Sequence, residues 1–206
     1  MKLGRFALAS AAAALLSCQG GMFGANPSPP VRGVWLLMPA ESSLYFVGIK
    51  NNSVAVPGSF SGMEGGFDVS KSEAWLEVRV GTVNTGNPER DDNLRTHFFD
   101  SLNFPAARFA MSGGPNAAAL PAFGASVDML LVGKLSIKGK EYPLEVPVRV
   151  TRAAENRIRV RNTKPVVLSA KDLGLEQALA VLKAVCGHEA VSGAVPIEID
   201  VVFAPI

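Results

Sequence analysis

The sequence has few of the residues that metal and redox chemistry need. Its 206 residues include two cysteines, Cys18 and Cys186, and two histidines, His97 and His188. No disulfide framework can form if Cys18 is chemically modified, because Cys186 then has no partner. Protein zinc sites use three or more protein ligands, and the two histidines lie far apart in the sequence. We therefore predict no metal site, and we predict that Cys186 is an inert, buried thiol that packs as a small apolar group.

An excess of charge of one sign is also missing. After residue 17 the chain carries 18 basic and 18 acidic residues, because Lys2 and Arg5 account for the whole positive excess. Binding to nucleic acid or to an anionic membrane surface needs clustered Lys and Arg, so neither is expected.

Motifs for catalysis and nucleotide binding are absent from the sequence. It contains no Walker loop and no dinucleotide fingerprint. The segment G-S-F-S-G at residues 58–62 places Phe60 where a nucleophile elbow needs serine. We therefore predict no catalytic residue, no cofactor and no enzymatic activity.

An apolar run at residues 6–16 is too short to cross a ~30 Å hydrocarbon core as a helix. It follows two basic residues, which is typical of the apolar region of a secretory signal. The run leads into Leu-Leu-Ser-Cys at residues 15–18, which resembles the bacterial lipobox. We predict a signal peptide at residues 1–17 that is cleaved before a lipidated Cys18. The alternative is a plain leader that is cleaved nearby.

Lipidation would determine where the protein resides. A processed lipoprotein cysteine is expected to carry a diacylglyceryl group, and two acyl chains anchor a protein stably. We therefore expect a lipoprotein of the bacterial cell envelope that is anchored to a membrane and faces the periplasm. Residues 18–33, rich in Gly, Pro, Asn and Ser, are predicted to form a flexible tether. The sequence leaves open the membrane leaflet and whether the chain forms a homodimer.

Residues 34–206 are predicted to form one domain built from β-strands. In residues 74–80 the apolar side chains share one face and the charged side chains share the other. The same alternation recurs at residues 144–150 and 197–201, and it is typical of strands that are buried on one side. Roughly eight to ten such strands with short connections predict an all-β antiparallel barrel or sandwich.

Two stretches break the alternation and predict short helices. Asn87 is suited to cap a helix with Pro88 at its first position, and Leu94 and Phe98 then lie on one face. A leucine-rich helical spacing over residues 175–186 predicts a second helix. We expect each helix to close an end of the barrel.

The stretch T-G-N-P-E-R-D-D-N-L-R-T-H-F-F-D at residues 85–100, followed by Phe104 and Pro105, resembles the signature of the YceI-like family. The segment G-K-L-S-I-K-G at residues 133–139 resembles a hairpin motif of the same family. The resemblance implies a lipocalin-like antiparallel β-barrel of about eight strands. It also implies export and an interior that holds a long apolar molecule, such as a polyprenyl lipid or an isoprenoid quinone.

Periodicity alone does not separate a packed core from a cavity wall, because both need apolar side chains and a barrel of about eight strands can be either filled or hollow. The resemblance favours a cavity that binds, sequesters or carries an isoprenoid-like lipid. The alternative is a closed-core barrel that acts as an interaction or stress-related structural protein. The candidates for the cavity wall are Leu44, Phe46, Phe60, Phe67, Leu76, Val78, Val80, Leu94, Phe98, Phe99, Phe109, Leu131, Leu135, Val146 and Val148.

Arg90 and Asp91 lie within the signature and have two interpretations. They could meet a polar head group at the mouth of the barrel, where a charge costs less desolvation than it does deeper inside. Alternatively, they form hydrogen bonds that fix the corner between a strand and a helix. We favour the corner.

Overall fold

The computed structural model describes residues 29–114 and 116–206. The predicted signal peptide, the predicted lipidation site at Cys18 and the first part of the predicted tether lie outside these described residues. The described chain forms twelve β-segments: β1 (Val34–Leu37), β2 (Ser43–Lys50), β3 (Val54–Phe60), β4 (Met63–Asp68), β5 (Glu73–Arg79), β6 (Val83–Asn84), β7 (Ala106–Ser112), β8 (Ser126–Ile137), β9 (Lys140–Ala154), β10 (Arg157–Asn162), β11 (Val166–Ser169) and β12 (Ala194–Pro205).

The β-segments close into an antiparallel barrel. Hydrogen-bonded neighbours follow the order β1, β4, β5, β7, β8, β9, β10 and β12, and β12 pairs back with β1. The other four segments extend members of this ring: β2 follows β1 along β12, β3 pairs with β2, β6 pairs with β3, and β11 follows β10 along β12. The barrel therefore has eight strands, some of them interrupted, and the predicted lipocalin-like antiparallel barrel is confirmed.

The alternation of side chains puts apolar residues inside the barrel. On β9, Val146, Val148 and Val150 are buried. Arg149 lies between two of them in sequence and points outward, where its Nε donates to Asp128 Oδ1 at 2.7 Å. Because successive strand residues face opposite sides of a sheet, each such strand contributes one apolar row to the interior.

Helices gather at one end of the barrel, which we call the helix end. They are α1 (Pro88–Asn93), a π-helical segment (Leu94–Phe99) that continues α1, and α2 (Glu176–Val185); two short 3₁₀ turns occupy Pro39–Glu41 and Val80–Thr82. Phe98 and Phe99 pack there with Leu179 against a buried cluster that includes Leu135 and Leu173. Within the described residues, no helix combines the length and the apolar composition that crossing a bilayer requires.

The predicted start of α1 is confirmed. Asn87 Oδ1 accepts a hydrogen bond from the Arg90 N–H at 2.8 Å, and Pro88 occupies the first helical position. The expected regular helix changes to π-helix at Leu94. A π-helix pairs residues five apart, so Phe99 is brought towards the side that Leu94 occupies. This geometry lets two consecutive phenylalanines face the barrel interior.

The opposite end, which we call the closed end, is covered by the segment before β1. Val31 is only 2% exposed and belongs to the main buried cluster. Trp35 Nε1 donates to the Arg32 carbonyl at 3.0 Å. The prediction of a flexible tether over residues 18–33 is therefore wrong for residues 29–33, because the apolar Val31 is buried in the core.

Arg152 holds this covering segment through a hydrogen bond to its backbone. It lies on the inner row of β9 beyond Val150 and is 3% exposed. Its Nη1 donates to the Pro29 carbonyl at 2.6 Å and its Nη2 to the Glu155 carbonyl at 3.5 Å. A buried guanidinium needs such acceptors to offset its lost hydration, so the covering segment and Arg152 stabilise each other.

Candidate functional site

A cavity of about 350 Å³ lies inside the barrel and extends to the π-helical segment and to α2 at the helix end. All of the predicted wall residues border it, from Phe67 near the closed end to Leu94 and Phe98 of the π-helical segment. The volume falls within the roughly 300–1,000 Å³ typical of small-molecule sites. The structure therefore brings these side chains together around one space, and their contact with a ligand stays a prediction.

Aromatic rings line the part of the cavity near the helix end. Phe46 and Phe60 lie with ring centroids 5.4 Å apart, Phe60 and Phe99 5.8 Å apart, and Phe98 and Phe99 5.0 Å apart. These separations suit tilted and edge-to-face aromatic pairs. The four rings connect β2, β3 and the π-helical segment into one apolar surface.

Two glycines make room for inward-pointing rings. A Cβ atom at Gly58 would overlap the ring of Phe46. One at Gly133 would lie 2.7 Å from the ring of Phe109 and 2.5 Å from the Ala110 carbonyl oxygen. Any side chain at these positions would push a ring away from the wall. The wall thus depends on glycine at these two places as well as on large apolar residues.

The cavity wall has almost no polar surface. Among the described residues that border it, the polar side chains apart from the indole of Trp75 are those of Asn162 and Ser192. Asn162 donates to the carbonyls of Lys164 and Ile197 and accepts from the Ile199 N–H, while Ser192 bonds to Ala194. Both are satisfied by the protein itself. The interior therefore suits an apolar guest, because neither polar side chain of the wall is left without a partner.

The corner before α1 is held by Thr85. Asp91, 7% exposed, accepts from the Thr85 N–H at 2.8 Å and from Thr85 Oγ1 at 2.6 Å. Arg90 reaches the same residue, since its Nε donates to Thr85 Oγ1 at 2.7 Å and its Nη2 to the Thr85 carbonyl at 3.0 Å. These bonds support the interpretation that Arg90 and Asp91 fix the corner.

The prediction that Cys186 is buried is wrong. It is free and only half-buried, and its Sγ accepts a hydrogen bond from Asn93 Nδ2 at 3.6 Å. It lies just beyond the last residue of α2, where the helix end meets solvent. No group of three or more metal-ligating side chains occurs in the part of the chain that the structure describes.

Many other wall residues are not among those predicted from the sequence. They include Met111, Met129, Ile158, Leu179, Ile199 and Phe203. Ile199 belongs to an alternating strand, and Leu179 lies on the apolar face of the second helix, so the signal for both was present in the pattern. Met129 begins the alternating apolar row that continues with Leu131 on β8, so the pattern indicated it too. Met111 flanks the contact between β7 and β8, where only three residue pairs connect the two strands, and no sequence pattern indicates that contact.

These features define a lipocalin-like β-barrel with an internal apolar cavity. The family model for the YceI-like domain matches residues 35–203, and the chain therefore belongs to the YceI-like family.

Solved structures show the same fold. A polyisoprenoid binding domain from Saccharophagus degradans, described as implicated in plant cell wall breakdown, is 24% identical with a TM-score of 0.78, and the match covers 84% of this chain and 98% of that one. Burkholderia cenocepacia BcnA is 22% identical with a TM-score of 0.58, covering 81% of this chain and 98% of that one. A comparison with curated proteins finds no match.

Proposed function

We propose that this protein binds an isoprenoid-like lipid in its barrel and sequesters or carries it in the bacterial cell envelope. The observation behind the proposal is the cavity of about 350 Å³, whose wall is apolar and whose polar residues Asn162 and Ser192 are already hydrogen-bonded within the protein. The cavity argues against the closed-core alternative. The structurally similar domain from Saccharophagus degradans is described as polyisoprenoid binding, which supports the same ligand class here. Polyprenyl lipids and isoprenoid quinones both fit this description.

The wall explains how such a lipid would be held. Burying hydrocarbon contributes about 0.8 kcal/mol of favourable free energy per CH₂ before the costs of binding are counted. For drug-sized ligands, about 0.3 kcal/mol of binding free energy per non-hydrogen atom remains after those costs. Branched chains with methyl groups suit a wall made of phenylalanine rings and branched aliphatic side chains. The protein would need no catalytic group to perform this function.

The direct test is to identify the natural guest. Native protein purified from its own membranes should yield an isoprenoid lipid in near-equimolar amount after organic extraction and mass spectrometry. Protein refolded from denaturant, and therefore delipidated, serves as the control. Recovery of no lipid, or of phospholipid in the same proportion as the surrounding membrane, would contradict the proposal.

Anchoring is tested separately at Cys18. We expect the mature protein to begin at Cys18 and to partition with membranes, and Cys18→Ser should move it into the soluble fraction because no acyl chain is added. Ser17→Ala is a control that keeps the cysteine. Membrane fractionation and mass spectrometry of the N-terminal peptide measure the outcome. A wild-type protein that is soluble after export would refute the anchor and leave lipid binding unaffected.

A further inference from the structure

Three basic residues lie close to cavity-wall residues at the helix end, one on a strand, one on a helix and one in the segment after α2. Lys50 is the last residue of β2, two positions after the wall residue Gly48. Arg90 lies on α1, one turn before the wall residue Leu94. His188 follows α2 and precedes the wall segment that begins at residue 191. We call these three residues the rim cluster.

Backbone contacts bring His188 to the end of β2. Lys50 forms an isolated antiparallel bridge with Val191. The next residue, Asn51, accepts the N–H of Glu189 on its side-chain oxygen at 3.1 Å. The chain that carries His188 is therefore fixed against the end of β2 by both contacts.

A side-chain contact brings α1 to the same place. Asn93 Nδ2 donates to Cys186 Sγ at 3.6 Å, and Cys186 lies two residues before His188. Arg90 lies three residues before Asn93, and residues three apart are neighbours on a helix surface. The Arg90 side chain consequently shares the face of α1 that meets the end of α2.

The positive charges of the rim cluster lack acidic partners. Within the described residues, no carboxylate lies within ion-pair distance of Lys50 or Arg90. Arg90 donates hydrogen bonds to Thr85 from Nε and Nη2, and none of the hydrogen bonds described for Arg90 involves its Nη1. Burial lowers the pKa of His188, and the nearby charges of Lys50 and Arg90 lower it further. An anion placed among the three groups would relieve this repulsion.

We propose that the rim cluster binds a phosphate head group of a lipid whose hydrocarbon chain occupies the cavity. The inference rests on the proposed function and narrows it to polyprenyl phosphates. The polar side chains of Asn162 and Ser192 on the cavity wall are already hydrogen-bonded within the protein. The wall therefore favours a head group that stays at a rim. Phosphate offers several acceptor oxygens and up to two negative charges, which suits guanidinium and ammonium donors from different directions.

The test compares two lipids that differ only in the head group. Geranylgeranyl monophosphate and geranylgeraniol share one hydrocarbon chain, and their dissociation constants are measured by equilibrium binding to the delipidated full chain. Wild type should bind the phosphate at least about tenfold more tightly than the alcohol. The Lys50→Gln, His188→Gln double variant should lose about tenfold or more for the phosphate, since each charged hydrogen bond contributes strongly, and should keep its affinity for the alcohol. Arg90 is left intact because it also holds Thr85.

Lys171→Gln is the matched control, because Lys171 is an exposed lysine of the helix end outside the rim cluster. It should leave both affinities unchanged. Equal wild-type affinities for the two lipids would overturn the rim inference and leave the proposed function intact. If neither lipid binds, the rim inference and the proposed function are both wrong. If inorganic phosphate alone binds as tightly as the lipid phosphate, the cluster is a site for free phosphate and the inference is wrong.

Discussion

Val78→Phe is expected to abolish lipid retention while leaving the barrel folded. Val78 lies on the inner row of β5, opposite Met63 of β4, and borders the cavity. The new ring would enter the space that the lipid chain occupies. In a fully packed interior the same change would instead overfill the core and cost about 1–3 kcal/mol. The two possibilities are separated by measuring retained lipid by mass spectrometry and the thermal midpoint of the delipidated protein.

Val132→Phe is the matched control for this experiment. Val132 lies on β8 with its side chain pointing outward and 55% exposed, so the same ring is added outside the barrel. Lipid retention and thermal midpoint should both stay at wild-type values. A strongly destabilised Val78→Phe protein, together with a wild type that retains no lipid, would establish a packed interior and contradict the carrier function.

The strands could be predicted from sequence because an inward-facing row must be apolar whether it encloses a ligand or a core. The alternation at residues 144–150 predicts the inner row of β9 for that reason, and it places Val146 and Val148 on the cavity wall. The same logic explains why the pattern alone left the cavity undecided. Empty space depends on how far opposite walls stand apart, which the long-range pairing of the strands determines.

Other features could not be predicted from the sequence because they depend on residues that are far apart along the chain. Val31 is buried because its segment covers one end of the barrel. That end is formed in part by Arg152, which lies more than a hundred residues further along the chain. The π-helical geometry at Leu94 follows from packing two adjacent phenylalanines into one interior. The rim cluster joins residues from positions 50, 90 and 188, and only the closed fold brings them together.

Asp91→Ala is expected to destabilise the barrel strongly, by about 2–4 kcal/mol. The Asp91 carboxylate accepts both the N–H and the hydroxyl of Thr85 in a buried position. Alanine would leave these two donors of the half-buried Thr85 without an acceptor. A buried donor without an acceptor costs about 1–3 kcal/mol, and water would recover part of that cost here. The hydroxyl of Thr85 would also lose the partner that orients it towards Arg90 Nε. For a chain of this size, the thermal midpoint should fall by roughly 5–15 °C.

Asp92→Ala provides the comparison one residue away. The Asp92 side chain is 72% exposed and pairs with Arg95 on the helix surface. Exposed pairs of this kind contribute little because solvent screens them, so the loss should stay below about 0.5 kcal/mol. Denaturant unfolding of both variants measures the difference. If Asp91→Ala were as stable as Asp92→Ala, the corner at Thr85 would not hold the helix end in place, and the signature carboxylate would have to be explained by contact with a ligand instead.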